Sequence, residues 1–230
     1  MATNSQKLWN EFCQRMNIAS EGVPLFATDE DLSVQVHEVG DKSRRMLLKR
    51  SPEMEQFVIS TAEKIVSDWK LHNQVYEGLI YLMFRKDPKG RIIPLYIGKT
   101  ETYGKNAGNL SANIENLNSN RGKFARWGDG YQYHIGDLSA VVLGHSEKAK
   151  TRKYQTWAET LFEKFPVIAP ELPKLKEQVY FWTKAWNKED IGPWEDFGPT
   201  NLTFLEYLMI GVASSVYPEN VLNKEGQNRG

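Results

Sequence analysis

The stretch GLIYLMF at residues 78–84, followed after a short break by PLYIGKT at residues 94–100, decides the fold of this chain. Both segments are rich in β-branched and aromatic residues, which is typical of strands. The intervening DPKG at residues 87–90 predicts a tight turn, because proline presets φ and glycine accepts a positive φ. Together the three segments predict an antiparallel β-hairpin.

The turn also predicts which residues of the hairpin face each other. If Pro88 and Lys89 are its central residues, Tyr81 of the first strand lies directly opposite Tyr96 of the second. Side chains of directly opposed residues project from the same face of a hairpin and interact. We therefore expect two phenols side by side, close enough to share one small site.

This pair of strands resembles the two motifs of the GIY-YIG nuclease family. LIY at residues 79–81 corresponds to the first motif, with Leu79 in the usual place of glycine and Gly78 one step earlier, and YIG at residues 96–98 corresponds to the second. The resemblance covers about residues 76–223. It implies an α/β domain with a small central antiparallel three-stranded sheet flanked by helices.

The resemblance sets the expected domain organisation and activity. We expect a mainly helical N-terminal extension over residues 1–74 and a nuclease-like domain with insertions over residues 75–225. The implied activity is metal-dependent hydrolysis of DNA phosphodiester bonds, as in a restriction-type or defence endonuclease. The target sequence and the preference for DNA over RNA do not follow from the residues.

Hydrophobic periodicity predicts the remaining elements of the chain. The third sheet strand, predicted at residues 178–186, is expected to pair with the first motif strand. Pro94 places the second motif strand at a sheet edge, since proline cannot donate to a strand ladder. Residues 131–135 and 139–143 are predicted as short strands or an extended insertion. Helices are predicted at residues 5–17, from Pro52 to about Leu71, and at residues 153–165 and 201–216, with a further strand at residues 32–39.

The last predicted helix carries a glutamate, Glu206, one position off a stripe of core residues at helical spacing. Alone, it reads as an ordinary solvated helix residue. The resemblance instead matches it to the metal-binding glutamate of the family and matches LEYLMIGVASSVYPENVLN at residues 205–223 to the terminal motif. Asn220 and Asn223 are both candidates for the closing asparagine. The core stripe consists of Leu202, Leu205, Met209, Val212 and Val216.

An arginine after the second motif strand is also implied by the resemblance, and Arg121 and Arg126 are the candidates. Phe124 and Trp127, which flank the second of these, favour Arg126. A guanidinium stays protonated and offers a fixed fork of donors, so it suits the negative charge that develops on a phosphoryl group. Hard oxygen ligands suit Mg²⁺ or Mn²⁺ at Glu206.

The predicted catalytic residues divide the chemistry among them. Tyr81 would assist deprotonation of the attacking water, although a free phenol is a weak base at neutral pH. Tyr96 would position water or phosphate, and Lys99 would tune the phenols or bind phosphate. Glu206 would hold a metal ion that polarises the phosphate. The predicted catalytic set is Tyr81, Tyr96, Lys99, Arg126 and Glu206.

The charge balance bears on the expected partner. The formal net charge is zero, and this is not the footprint of a strongly nucleic-acid-binding domain. It leaves open a catalytically inactive nucleic-acid-binding module, or a structural domain of a larger assembly. Local basic clusters still favour contact with phosphate. Predicted nucleic-acid contacts are Arg121, Lys123, His134, Lys150, Arg152 and Lys153.

The single cysteine, Cys13, excludes a disulfide framework or a thiolate zinc site within the chain. No segment reads as a signal peptide or a membrane span, so a soluble cytoplasmic protein is expected. A homodimer would supply the two sites that cutting both strands of a palindrome requires.

Overall fold

The computed structural model describes residues 3–40, 44–104, 108–145 and 151–228. These residues form a mixed α/β structure, as expected. Within the described ranges, no helix has the length and the apolar character that crossing a membrane requires. The helices are α1 Asn4–Arg15, α2 Ile18–Glu21, α3 Pro52–Lys70, α4 His134–Val142, α5 Arg152–Leu161 and α6 Leu202–Val216; the strands are β1 Val23–Pro24, β2 Val36–Val39, β3 Arg45–Leu48, β4 Tyr76–Lys86, β5 Ile92–Glu101 and β6 Tyr180–Asn187.

The chain divides into two compact units, each assembled from segments that are distant in sequence. Unit 1 comprises Met1–Val23, Phe57–Ser111 and Tyr180–Gly230. Unit 2 comprises Pro24–Gln56 and Ala112–Val179. The boundary expected after residue 74 falls inside unit 1, and it stays a prediction about domain organisation.

The larger sheet has the strand order β1-β6-β4-β5. The hairpin of β4 and β5 is confirmed, and so are the pairing of the third strand with the first and the edge position of the strand that contains Pro94. The expected number of three strands is wrong, because β1 adds a fourth. With only two residues, β1 is too short to give an alternating pattern in the sequence.

The predicted register of the hairpin is also wrong. The turn forms as expected, with the Gly90 N–H donating to the Asp87 carbonyl at 2.8 Å. However, Lys86 pairs with Ile92, and an irregularity after Met83 shifts the ladder once more. Tyr81 therefore faces Gly98, and Tyr96 faces Met83. Because the total offset is two residues, both tyrosines keep the same face of the sheet.

Helix α6 packs on the opposite face of the sheet. Its Leu205 and Met209 share one buried cluster with Ile80, Leu82 and Ile97 of the hairpin. The predicted core stripe of α6 is thus largely confirmed, with only its last member, Val216, half-buried. The helix begins where the side chain of Asn201 accepts a hydrogen bond from the backbone of Phe204. Helix α6 is in this way fixed beside the hairpin.

In unit 2, the segment expected as short strands forms helix α4, so that prediction is wrong. All nine residues of α4 are buried. A helix buried on every side shows no amphipathic period, and its β-branched residues then suggest strands. The strand expected at residues 32–39 is shorter, at Val36–Val39, and α5 ends at Leu161, before the predicted residue 165.

Candidate functional site at the edge of strand β5

The two motif tyrosines lie close together, as the sequence predicts. Their ring centroids are 6.4 Å apart, and the Tyr81 ring also stacks on Phe181 at 6.1 Å. Tyr81 is only 2% exposed, whereas Tyr96 is half-buried. A Cβ built on Gly98 would lie 2.6 Å from the Tyr81 hydroxyl oxygen, so glycine is needed there for the ring to lie over β5. The two motifs therefore pack directly against each other.

The displaced glycine of the first motif has a structural reason as well. Gly78 has a φ of +153°, and a Cβ there would lie 2.1 Å from the Thr100 carbonyl oxygen. The ladder between β4 and β6 is irregular at this point, between Tyr76 and Gly78. Only glycine accepts both this φ and this close approach of backbone. Any side chain at position 78 would force β4 away from β5.

The outer edge of β5 is covered by residues from the end of the described chain. The Asn223 side chain accepts from the Ile97 N–H at 3.0 Å and donates to the Ile97 carbonyl at 2.7 Å. The Leu222 N–H donates to the Leu95 carbonyl at 2.7 Å. Asn220, in contrast, donates its own N–H to Tyr217 in a turn. Of the two candidate asparagines, Asn223 is thus the one that contacts the second motif.

Glu206 lies at the same strand edge and is half-buried. Burial raises the pKa of its carboxyl, and the nearby carboxylates of Glu101 and Glu225 raise it further. The Lys99 ammonium and a hydrogen bond from the Lys99 backbone act in the opposite direction and lower it. The Glu206 side chain is therefore held beside β5, partly shielded from water and near two other carboxylates and one ammonium. This environment differs from that of an ordinary glutamate on a solvated helix face.

Lys99 connects this glutamate to the start of α6. Its Nζ donates to the Thr203 hydroxyl at 2.9 Å and pairs with the Glu101 carboxylate. We refer to Lys99, Glu101, Thr203, Glu206 and Asn223 as the β5-edge cluster. It combines one ammonium, two carboxylates and two neutral polar groups within unit 1.

The resemblance also leads us to expect the two phenols, the arginine and Glu206 around one metal ion on a single sheet surface, but the tyrosines do not share a face of the sheet with the Lys99 side chain. Side chains alternate between faces along a strand, and Tyr96 and Lys99 are three residues apart in β5. Lys99 pairs with Ile80, whose side chain belongs to the face covered by α6. Tyr81 and Tyr96 point to the other face, and Glu206 lies beside the strand edge.

The carboxylate of Glu206 is the type of oxygen donor that a hard divalent cation takes. It is half-buried and has a like-charged neighbour in Glu101, with which the Lys99 ammonium also pairs, and a cation would relieve the remaining repulsion. Mg²⁺ commonly binds through one or two carboxylates and keeps several waters. Across the described ranges, no group of three or more His, Cys, Asp or Glu side chains is arranged to hold a metal. The ion would therefore rely mainly on Glu206 and water.

The two candidate arginines belong to unit 2 and differ in their contacts. The Arg121 guanidinium forms a forked pair with Glu55, with one N–O distance of 2.8 Å. Arg126 ends a turn in which Phe124, Ala125 and Arg126 have φ values of 27°, 49° and 73°, and its guanidinium lies 5.1 Å from the Tyr133 ring centroid. Arg121 is thus engaged in an internal ion pair, which leaves Arg126 as the better candidate for phosphate.

The partner of Arg121 belongs to a buried network that the sequence did not reveal. The Arg50 side chain is 1% exposed and donates to Glu55 at 3.0 Å and to Asp129 at 2.7 Å. Burial raises the pKa of Glu55, but Arg121 and Arg50 together lower it below the ordinary value. We call Arg50, Glu55, Arg121 and Asp129 the Arg50 cluster. No local pattern around Arg50 distinguishes it from an exposed arginine.

The burial of the His134 side chain disfavours the contact with nucleic acid that the sequence analysis predicts for it. His134 is 3% exposed, bonds through Nδ1 to the Tyr154 hydroxyl at 2.8 Å, and packs against both Trp127 and Trp157. Burial lowers its pKa well below the ordinary value, so the ring is neutral at neutral pH. It is a core residue of unit 2.

The other predicted nucleic-acid contacts have mixed environments. Arg152 is exposed at the start of α5, and Lys123 is half-buried. Lys153 is also half-buried, and its ammonium lies 5.1 Å from the Trp157 ring centroid. Lys150 lies outside the described residues. These positions stay predictions as DNA contacts.

Comparison of the chain with protein-family models, with curated proteins and with solved structures gives no significant match. The resemblance to GIY-YIG nucleases therefore stays a prediction that rests on the residues quoted above.

Proposed function

We propose that the chain is a metal-dependent endonuclease of the GIY-YIG type that hydrolyses DNA phosphodiester bonds at the β5-edge cluster. One observation carries the proposal. Glu206, which the resemblance matches to the metal-binding glutamate, and Asn223, one of the two candidates for the closing asparagine, both hydrogen-bond to backbone of β5, at Lys99 and Ile97. Asn223 is 126 residues from Ile97 in the sequence, so this meeting of distant motif residues is a property of the fold.

In the proposed mechanism, Glu206 holds Mg²⁺ or Mn²⁺, which when bound supplies a Lewis acid for the phosphoryl oxygens. The Lys99 ammonium, fixed by Thr203, attracts the phosphate electrostatically. Half-buried Tyr96 positions water or phosphate. Tyr81, whose ring is held against Gly98, acts as a positioning residue for β5, since its burial disfavours the role of base first assigned to it. Arg126 remains the proposed phosphate-binding guanidinium of unit 2.

The test is nicking of supercoiled plasmid DNA with Mg²⁺ or Mn²⁺. We expect Glu206→Gln to reduce nicking to the level without metal, while keeping the size and hydrogen-bonding shape of the side chain. Glu219→Gln is the matched control, since Glu219 is an exposed glutamate in the segment after α6. Nicking by Glu206→Gln at the wild-type rate would contradict the assignment of the metal ligand.

A second candidate, a nucleic-acid-binding module without catalysis, is favoured by the burial of Tyr81 and by the pairing of Lys99 with Glu101. Burial limits access to the Tyr81 hydroxyl, and the ion pair engages the Lys99 ammonium that would otherwise attract phosphate. Duplex DNA binding that weakens steeply with salt, with no cleavage in either metal, would select this candidate.

A further inference from the structure

A cavity of about 820 Å³ opens at the start of α6, between the ends of β4, β5 and β6. Its volume lies within the roughly 300–1,000 Å³ that is usual for sites of small ligands. The described lining includes four aromatic rings, among them Tyr103, Phe204 and Tyr207, together with the carboxylates of Glu77 and Glu101. Glu101 belongs to the β5-edge cluster as well, so the cavity adjoins the proposed site of hydrolysis.

Two of the four aromatic residues at this cavity are exposed. Phe204 is 43% exposed and Tyr207 is 46% exposed. Outside the cavity, the Phe197 ring lies edge-on to Phe204 with centroids 5.4 Å apart, and Trp194 lies 5.2 Å from Phe197. A series of exposed rings therefore leads into the cavity. Such series provide stacking surfaces for successive unpaired bases.

The polar groups of the cavity are held in place. The Glu77 carboxylate accepts a hydrogen bond from the Leu202 N–H at 2.5 Å, and Glu101 is paired with Lys99. Each carboxylate is thus fixed by one contact, and both glutamates line the cavity. Lys188 adds a donor to the lining. Carboxylates accept hydrogen bonds from exocyclic amino groups of nucleobases, and aromatic rings stack on their faces.

We propose that this cavity binds an unstacked nucleobase that carries an exocyclic amino group, namely guanine, adenine or cytosine. The inference rests on the proposed function, since the base would come from the DNA strand that is cut next to it. Stacking on Phe204 and Tyr207 compensates for the stacking that the base loses in the duplex. The carboxylates of Glu77 and Glu101 distinguish amino-bearing bases from thymine.

An organic cation is the other ligand that aromatic rings and carboxylates commonly bind. Here, two ammonium groups oppose it. Lys188 lines the cavity, and Lys99, outside the lining, already pairs with the Glu101 carboxylate. The lining therefore contains a cationic donor beside its two carboxylates, which suits the neutral edge of a base better than a positive charge.

The experiment is titration of the full-length protein with guanosine, adenosine, cytidine, thymidine and choline, followed by ligand-observed NMR. We expect saturable binding of at least one amino-bearing nucleoside and weaker binding of thymidine. Tyr207→Ala should weaken that binding by roughly 5- to 100-fold, the usual effect of removing one stacking ring. Tyr131→Ala is the matched control, because Tyr131 is 39% exposed and lies in unit 2.

Phe204→Leu provides a second variant if Tyr207→Ala does not fold, and it should weaken binding in the same direction. No saturable nucleoside binding, equal binding of thymidine, choline binding alone, or unchanged binding by both ring variants would each overturn the inference.

The Glu206→Gln variant separates this inference from the proposed function. It should lose nicking and keep nucleoside binding, because Glu206 is not part of the cavity lining. Wild-type nicking without nucleoside binding would overturn the cavity inference alone. Nucleoside binding without any nicking would overturn the nuclease and leave the cavity as a base-binding site.

Discussion

The β5-edge cluster and the Arg50 cluster each join a cationic side chain to carboxylates, but the central ion pairs of the two clusters differ in their access to water. In the Arg50 cluster, the side chains of Arg50 and Asp129 are 1% and 5% exposed. At the edge of β5, the side chains of Lys99 and Glu101 are 18% and 60% exposed. Buried charges must be paired to be tolerated, whereas charges at a strand edge keep access to water and ligands. This access to water is why the proposed chemistry is assigned to the β5-edge cluster.

The comparison shows that basic residues near the motifs have different environments. The Arg121 guanidinium is 45% exposed and pairs with the Glu55 carboxylate of unit 2, and its contact with DNA stays a prediction. A single sequence does not reveal the burial and pairing of each charged side chain. Substitutions in each cluster therefore test the distinction directly.

The largest effect is expected in the Arg50 cluster. Arg50→Leu leaves Asp129 and Glu55 without their buried partner, and such changes cost about 3–5 kcal/mol. The free energy of unfolding, measured by urea denaturation with tryptophan fluorescence, should fall accordingly. Lys49→Leu, at the exposed neighbouring position, is the control. A similar small loss in both variants would show that the network does not stabilise the protein.

The next effect concerns the hydrogen bonds on β5. Asn223→Ala removes both bonds to Ile97, and the uncovered backbone groups should cost about 2–4 kcal/mol in unfolding free energy. Asn220→Ala is the control and should change stability by much less. If the two variants lost the same stability, Asn223 would not be the residue that closes the terminal motif. Nicking activity should follow the same order.

Gly98→Ala tests the packing of the two motifs. The added Cβ overlaps the Tyr81 ring, and overpacking of this kind costs about 1–3 kcal/mol. We expect a lower melting temperature in thermal unfolding and reduced nicking. Gly122→Ala should be tolerated, because no heavy atom lies within 4 Å of a Cβ built there. Equal tolerance of both changes would rule out close packing of Tyr81 on Gly98.

The smallest expected effect is the change of stability with pH that the Glu206 carboxyl causes, and the direction of this change is defined. Because its pKa is raised on folding, the native state keeps the proton to higher pH, and stability falls as pH rises through the unfolded and folded pKa values. Glu206→Gln should therefore be more stable than wild type at pH 7. Its advantage should disappear as pH falls below the ordinary glutamate value of about 4.3.

Comparison of the Glu206→Gln variant with the wild type also tests metal binding, through the melting temperature. Mg²⁺ should raise the melting temperature of the wild type, because it binds the folded state, and should have little effect on Glu206→Gln. Glu219→Gln should respond like the wild type. A Glu206→Gln variant that is less stable at pH 7, or equally stabilised by Mg²⁺, would contradict the description of this carboxylate.

The parts of the fold that local signals determine were predictable. The DPKG turn, the two motif strands and α6 follow from turn chemistry and from periodicity within single segments. The register did not follow from the turn alone, because the loop closes at the pair Lys86–Ile92 and the ladder then shifts between Met83 and Phe84. Pro94 lies opposite this shift, and proline in a strand is consistent with an edge as well as with a bulge. Helix α4 was missed because burial on all sides removes the polar face that identifies a helix.

The candidate site was predictable in its residue types more than in its geometry. The sequence pointed to Tyr81, Tyr96, Lys99 and Glu206 from their motifs. It did not show that the alternation of side chains along β5 places Tyr96 and Lys99 on opposite faces, because the motif residues were expected on a single sheet surface. Nor did it distinguish Asn223 from Asn220, which depends on a contact between distant segments.

Strand β5 is an edge strand of its sheet. The unpaired backbone N–H and C=O groups of an edge strand are templates on which other chains add strands. Here, the edge groups of β5 are hydrogen-bonded within the chain. The Leu95 carbonyl bonds to the Leu222 N–H, Ile97 to the Asn223 side chain, and the Lys99 backbone to the Glu206 carboxylate. Substitution of Asn223 or Glu206, whose side chains make two of these contacts, would therefore also expose a site for intermolecular β-association. Loss of activity in such variants has to be judged on monodisperse protein, because self-assembly into fibres or precipitates would remove activity without touching the chemistry.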